Sequence, residues 1–354
     1  MKARFVCVLL ALCLLCGSCS GEKKGESLQK FSGTFYDAFD TVITVIGYAG
    51  DQETFDRVFE QAKDMFIHYH RIYDGYKPYE GVNNLFYVNR SAGQGPVHAE
   101  PELIELLLYM KELQPRLQGR VNVAMGSVLR YWHEMREEGV ALPEESLLRT
   151  LNTHTDFDKV IIDRDAGTVY FADPLLSIDL GAVAKGYATE IVASWMLTSD
   201  VPSYIISAGG NVRCGQQPAD ERSRWGVGIQ DPDESVLPAG NSLKDVLYTT
   251  DMSVVTSGDY QRYYTVDGVR YHHIIDPDTL FPSNYMRQVT VLTRDSGYAD
   301  ALSTALFLLP YEQGRAFVDS LPDVEAYWVL NDGSVRFTEG MSHLLRSQGG
   351  SAVD

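Results

Sequence analysis

What the chain is short of narrows it first. Of its five cysteines, four stand at or before Cys19, and only Cys214 lies in the body of the sequence. A cysteine-based zinc site is therefore excluded, and with Cys19 read as a lipidation site no internal disulfide is possible. Positive charge is also scarce: 30 Lys and Arg face 48 Asp and Glu, a formal charge of −18. No basic stripe offsets this, so nucleic acid is not an expected partner. A polyanionic ligand would need local cations or a divalent metal. Beyond the N-terminus no apolar run reaches the ~20 residues of a membrane-spanning helix. There is no Gly-x-Ser-x-Gly elbow, no Walker loop, no His-Glu-x-x-His and no Gly-x-Gly-x-x-Gly.

What is present begins with a targeting segment. Lys2 and Arg4 precede the apolar run Phe5–Leu15, and Cys16-Gly-Ser-Cys19 follows. This reads as a signal peptide over 1–18, with Cys19 as the lipidated residue of a bacterial lipobox. Cys16 stands where an aliphatic residue is usual, and plain secretion is the alternative. Residues 19–30 read as a polar tether, 31–345 as the folded domain, and 346–354 as a disordered tail. The location this implies is the bacterial cell membrane, lipid-anchored on its extracytoplasmic face.

Within the domain, Asp51–Ile72 is strongly amphipathic, with Phe55, Val58, Phe59, Ala62, Met65, Phe66 and Tyr69 at helical spacing. Glu100–Leu117 and Tyr298–Leu309 also read as helices, the Tyr73–Asn89 stretch as a loop, and Glu134–Asp158 as a charged, exposed stretch. Strand pairs are expected around Asp163–Gly167, Asp267-Gly268 and Asn331-Asp-Gly. Strands and helices do not alternate strictly, which favours an α+β fold with largely antiparallel sheets and packed helices.

The chain is organised around Ser177-Ile-Asp-Leu-Gly-Ala-Val-Ala-Lys-Gly-Tyr-Ala-Thr-Glu190. It reads as an apolar strand ending at Asp179, a turn at Gly181, then a helix. A carboxylate and free backbone groups at such a turn suit a phosphate or a metal ion; the bland reading is an ordinary junction in which Gly186 closes a packing contact. Asp300 and Thr304 share a helix face and could give two oxygens to a hard cation. Equally, Asp300 is an acid near a helix start and Thr304 a hydroxyl bonded back to its own helix. Gly209 and Gly210 allow close ligand approach or make a simple turn. Ser257 follows a strand in the same manner. His273 is a candidate general base, or a half-buried histidine satisfied by backbone.

Taken in order, Asp179-Leu-Gly-Ala-Val-Ala-Lys-Gly-Tyr, Ser207-Ala-Gly-Gly-Asn, Ser257-Gly-Asp-Tyr, His273-Ile-Ile-Asp-Pro and Ala299-Asp-Ala-Leu-Ser-Thr304 resemble the ApbE family, the FAD:protein FMN transferases. The resemblance runs from about Phe39 to about Leu309. It implies an α+β fold related to T-folds, and transfer of the FMN half of FAD to a Thr or Ser hydroxyl with release of AMP. It implies Mg²⁺ held by the Ala182 carbonyl, Asp300 and Thr304. FAD would be lined by Phe39, Tyr76, Arg120, Val121, Asn122, Asp179, Lys185, Gly209, Gly210, Ser257 and Ile275, with His273 as base. Acceptors would be flavoprotein subunits of Nqr/Rnf-type redox pumps or other exported flavoproteins. Some relatives hydrolyse FAD instead, and a lipid-tethered flavin-binding protein without catalysis is the third reading. Tyr76 is the residue type of the transferase members. Two departures stand out. Val121-Asn-Val-Ala replaces a Phe-Asp-x-Thr-like sequence, and Leu280 replaces a usual glycine, so its loop is expected to differ in shape.

Overall fold

The structure is a computed structural model that describes residues 28–139, 141–233 and 243–353. The expected signal peptide, and the tether up to residue 27, lie outside the described residues. The last tether residues do not belong to a tether, because Gln29 and Lys30 already pair with Ala49 and Tyr48.

An eight-stranded antiparallel sheet forms the centre. Its strands lie side by side in chain order: Gln29–Ala38, Thr41–Ala49, Tyr204–Ala208, Asn211–Cys214, Ser253–Gly258, Met286–Thr293, Glu325–Leu330 and Val335–Phe337. Successive side chains point to opposite faces, so Val255, Val291 and Trp328 enter one core while Val254, Leu292 and Tyr327 enter another. The first core is covered by the helices Gln52–Tyr73, Pro101–Leu113, Ala184–Met196 and Ser296–Phe307. The second is covered by the hairpin Trp225–Gln230/Leu243–Thr249 together with Met341 and Leu345. Cys214 is buried in that second core, and burial pushes its thiol up to about 12, so it is inert there.

A smaller cluster gathers Met125, Val128, Trp132, Leu148, Tyr264, Ile275 and Leu280. It seats the helix Gly126–Glu138 against the hairpin Tyr263–Val266/Val269–His272. This cluster and the sheet's helical layer frame the site.

Four readings are corrected. The run up to Asp179 is not a strand but makes an isolated parallel bridge from Ser177 to Met125; Gly126 N–H donates to the Ser177 carbonyl and Asp179 N–H to that of Val123. The Tyr73–Asn89 loop contains a helix, Leu85–Arg90, capped by buried Asn84, whose Oδ1 accepts from Tyr87 N–H. The charged stretch 134–158 carries the end of one helix and a second, Glu145–Leu151. Finally, the tail is held in place: Ser347 N–H donates to Asp245 at 3.1 Å, and the Ala352 carbonyl accepts from Ser223 N–H at 2.8 Å.

Candidate active site

The site begins where two helices meet. Ala184–Met196 and Ser296–Phe307 approach so closely at Gly186 that a Cβ there would lie 2.3 Å from the Ser296 carbonyl oxygen and 2.5 Å from the Asp300 Cβ. Only glycine permits that approach. Gly186 is the third residue of the helix Ala184–Met196, so its amide has no acceptor within that helix. It donates to Asp300 Oδ2 at 2.8 Å instead. Among the described residues the Ala182 carbonyl receives no hydrogen bond.

Asp300 is 6% exposed, and its other oxygen lies 3.5 Å from Lys185 Nζ. Burial pushes the Asp300 carboxyl up and the Lys185 ammonium down, and each group's charge opposes the other's shift. Beside them Asn211 is fully buried. Its Oδ1 accepts from Ser296 Oγ at 2.6 Å while its Nδ2 has no well-formed hydrogen bond. Thr304 Oγ1 donates back to the Asp300 carbonyl at 3.3 Å, which leaves its lone pairs available. Ser257 joins this group through a 2.8 Å contact with Ser303.

Among the described residues no three His, Cys, Asp or Glu side chains gather closely enough to hold a metal. The donor set that does exist is a free carbonyl, one carboxylate and one hydroxyl. All are hard oxygens, which fits Mg²⁺ and argues against zinc.

The turn after Asp179 forms the next wall. Asp179 Oδ1 accepts from Gly181 N–H at 2.8 Å, and its Oδ2 accepts from the Tyr76 hydroxyl at 2.9 Å. Burial and the neighbouring Asp179 charge push the Tyr76 phenol well up, so it stays a donor. Helix Gly126–Glu138 presents Arg130, His133 and Arg136 at helical spacing toward this tyrosine. Arg130 lies over the Tyr76 ring at 5.1 Å, the His133 ring is 4.9 Å away, and Arg136 donates to His133 Nδ1 at 2.6 Å.

His273 and its neighbour have different circumstances. His272 is buried and saturated: Nε2–H donates to the Ser283 carbonyl at 2.5 Å, and Nδ1 accepts from Ile274 N–H at 3.2 Å. His273 donates Nδ1–H to the Arg262 carbonyl at 3.2 Å. That bond selects the tautomer whose Nε2 carries a lone pair. Burial first, then the Arg262 cation, pushes the imidazole down to about 3, so it is neutral at ordinary pH.

The ApbE family pattern matches residues 39–328. The chain belongs to the ApbE family. A relative from Treponema pallidum, an FAD:protein FMN transferase, is 33% identical over 272 residues, 73% of this chain and 74% of that one. One from Klebsiella pneumoniae with the same description is 29% identical over 81% of this chain and 85% of that one. The crystal structure of the ApbE protein of Thermotoga maritima superposes with a TM-score of 0.78 at 26% identity, covering 89% of this chain and 99% of that one. The ApbE fold is the α+β arrangement expected from the sequence.

The remaining ApbE motif residues are placed unevenly. Gly209 and Gly210, at φ +53° and +90°, form the two-residue turn of a hairpin; a Cβ on Gly209 would fall on Thr41. The Asn122 side chain is engaged through both of its polar atoms, Nδ2 donating to the Thr155 carbonyl and Oδ1 accepting from Gln114 Nε2 and Ala124 N–H. Its side chain is thus turned to the protein rather than to a ligand. Val121 is buried, and Arg120 is held by Asp278 at 2.7 Å. Ile275 is buried and bridges Pro282. Leu280 takes the left-handed conformation itself, at φ +64°, so the loop keeps a glycine-like turn without the glycine.

Sequence reasoning missed Arg262, Arg130, His133 and Arg136. The last three sit three apart, a helical signal that was available, but the charged stretch read as exposed from Glu134 onward separated Arg136 from Arg130 and His133.

Proposed function

We propose that this chain is a Mg²⁺-dependent FAD:protein FMN transferase, tethered through Cys19 to the extracytoplasmic face of a bacterial membrane. Its acceptors are exported flavoproteins or flavoprotein subunits of Nqr/Rnf-type pumps. The transferase activity rests on the family and on relatives that bear this description. The observation that carries the site is the Gly186 amide at the helix start, which grips Asp300 beside an Ala182 carbonyl that accepts no hydrogen bond.

Each residue then has a task. Asp300, Thr304 and the Ala182 carbonyl would hold Mg²⁺, which supplies charge neutralisation at the FAD diphosphate. Lys185 adds a cation at the same place. Asp179 and Tyr76 form a polar wall, and Tyr76 fits transfer to a hydroxyl. His273 Nε2 takes the proton from the acceptor Thr or Ser hydroxyl. The oxygen so freed bonds to the FMN phosphorus, and the bond from that phosphorus to the bridging oxygen breaks, releasing AMP.

The test is incubation of the mature domain with FAD, Mg²⁺ and an acceptor fragment, followed by in-gel flavin fluorescence. A fluorescent acceptor band with matching AMP release is expected. AMP and free FMN released with no labelled band would mean hydrolysis, and flavin bound without turnover would mean a carrier.

A further inference from the structure

We propose that Arg262 is a positioning residue: it ties the strained Phe39–Asp40 turn to the imidazole of His273 and so holds the base oriented. The inference rests on the role of His273 given above. Four hydrogen bonds converge on this one residue. Its guanidinium donates to the carbonyls of Phe39 at 3.3 Å and Asp40 at 3.4 Å. Its own carbonyl accepts both the His273 backbone N–H at 3.1 Å and the His273 Nδ1–H at 3.2 Å.

The turn at the other end of this tie needs restraint. Phe39 and Asp40 lie at φ +55° and +49° in succession. Non-glycine residues disfavour that conformation, because it crowds Cβ against the following carbonyl oxygen. Such strain persists only where surroundings over-determine it. Here the Phe39 N–H is taken by His70 Nδ1 at 3.2 Å and both carbonyls by Arg262. Release of the guanidinium frees the turn and, through the same residue's backbone, loosens the carbonyl that fixes the His273 tautomer.

Charge acts in the same direction. The groups that bear on His273 are Arg262 itself, adjacent His272, and Arg136 from helix Gly126–Glu138, with burial the largest influence. Arg262 is the foremost of the cations that keep the ring neutral. A base must be neutral to accept a proton, so activity is lost as pH falls through its pKa. Loss of the Arg262 charge lets that pKa rise toward the ordinary histidine value of about 6.5, and the acid limb of the rate profile moves up.

Two variants separate the effects. In Arg262→Ala we expect kcat to fall by about tenfold or more. Its acid limb should move upward from the parent position. Arg262→Lys keeps the charge but ends in a shorter side chain that does not bring an N–H to the place where Arg262 Nη2 meets both carbonyls, so kcat falls while the acid limb stays at the parent position. Imidazole ¹⁵N spectra, with His273 assigned by its loss in His273→Ala, should show an Nδ1–H tautomer in the parent and a tautomer mixture in Arg262→Ala. Parent-like kcat in Arg262→Lys, or an unchanged acid limb or tautomer in Arg262→Ala, overturns the inference. A His273→Ala protein that transfers at the parent rate removes the base role and this inference with it. Parent-like Arg262 variants beside a slow His273→Ala remove this inference alone.

Discussion

At Leu280 a branched side chain occupies a backbone conformation that favours glycine. Its φ is +64°, its side chain is 2% exposed, and its carbonyl accepts from Trp132 Nε1 at 2.8 Å. Burial of a leucine contributes about 1.5–3 kcal/mol, which exceeds a left-handed cost of about 1–2 kcal/mol. Leu280→Ala loses the burial and keeps the strain, whereas Leu280→Gly loses both. Both variants should unfold at lower denaturant than the parent, with the glycine variant more stable than the alanine one by about 1 kcal/mol. The reverse order in urea melts would refute the account. Asp300 gives a second prediction. Asp300→Asn keeps the shape but removes the charge, and Mg²⁺-dependent turnover should drop by at least ~100-fold. Turnover near the parent level at saturating Mg²⁺ would take Asp300 out of the metal site.

Among secondary elements, the contact between helices Ala184–Met196 and Ser296–Phe307 governs the site. A methyl at Gly186 must displace the Ser296 carbonyl or the Asp300 side chain. Overpacking of this kind costs about 1–3 kcal/mol. Gly186→Ala should therefore lower the melting temperature and weaken FAD binding together, as read by calorimetry and flavin fluorescence. Weakened stability with unchanged flavin affinity would show that the helix contact and the site are independent. Which elements could be read beforehand follows from physics. The Gln52–Tyr73 helix was legible because its apolar residues repeat at helical spacing, and two of the hairpins because Asp267-Gly268 and Asp332-Gly333 mark their turns. The run up to Asp179 was misread because an apolar stretch looks alike in a strand and in a buried extended segment. Its partners, Val123 and Gly126, are distant in sequence. Asp300 and Lys185 were visible as motif residues. Arg262 was not, since it acts partly through a carbonyl, which every residue possesses.

For the molecule as a whole, acid sensitivity has an identifiable contributor. Asp173 is buried, which alone would raise its carboxyl. Hydrogen bonds from His154, the Leu175 amide and Lys159 outweigh burial and hold it at about 2. A depressed carboxyl contributes stability above the unfolded value and loses it as pH falls through the folded one. The stabilisation, on the order of 1–2 kcal/mol after discounting for the exposed lysine, is thus complete above about pH 4 and gone near pH 2. Asp173→Asn should be less stable than the parent at pH 7, and the gap should close between about pH 4 and 2. A gap independent of pH would assign the loss to packing instead.

The order of the central strands has a consequence for how the chain acquires its site. Ile43 pairs with Ala208, yet residues 50–203 intervene. The entropy of closing so long a loop must be met before that pairing gives any return. Until Tyr204–Ala208 arrives, the inner edge of the N-terminal hairpin has no neighbour, and the Phe39 turn cannot meet Arg262. Maturation of the flavin pocket is therefore a late event, reached only when distant halves of the polypeptide zip together.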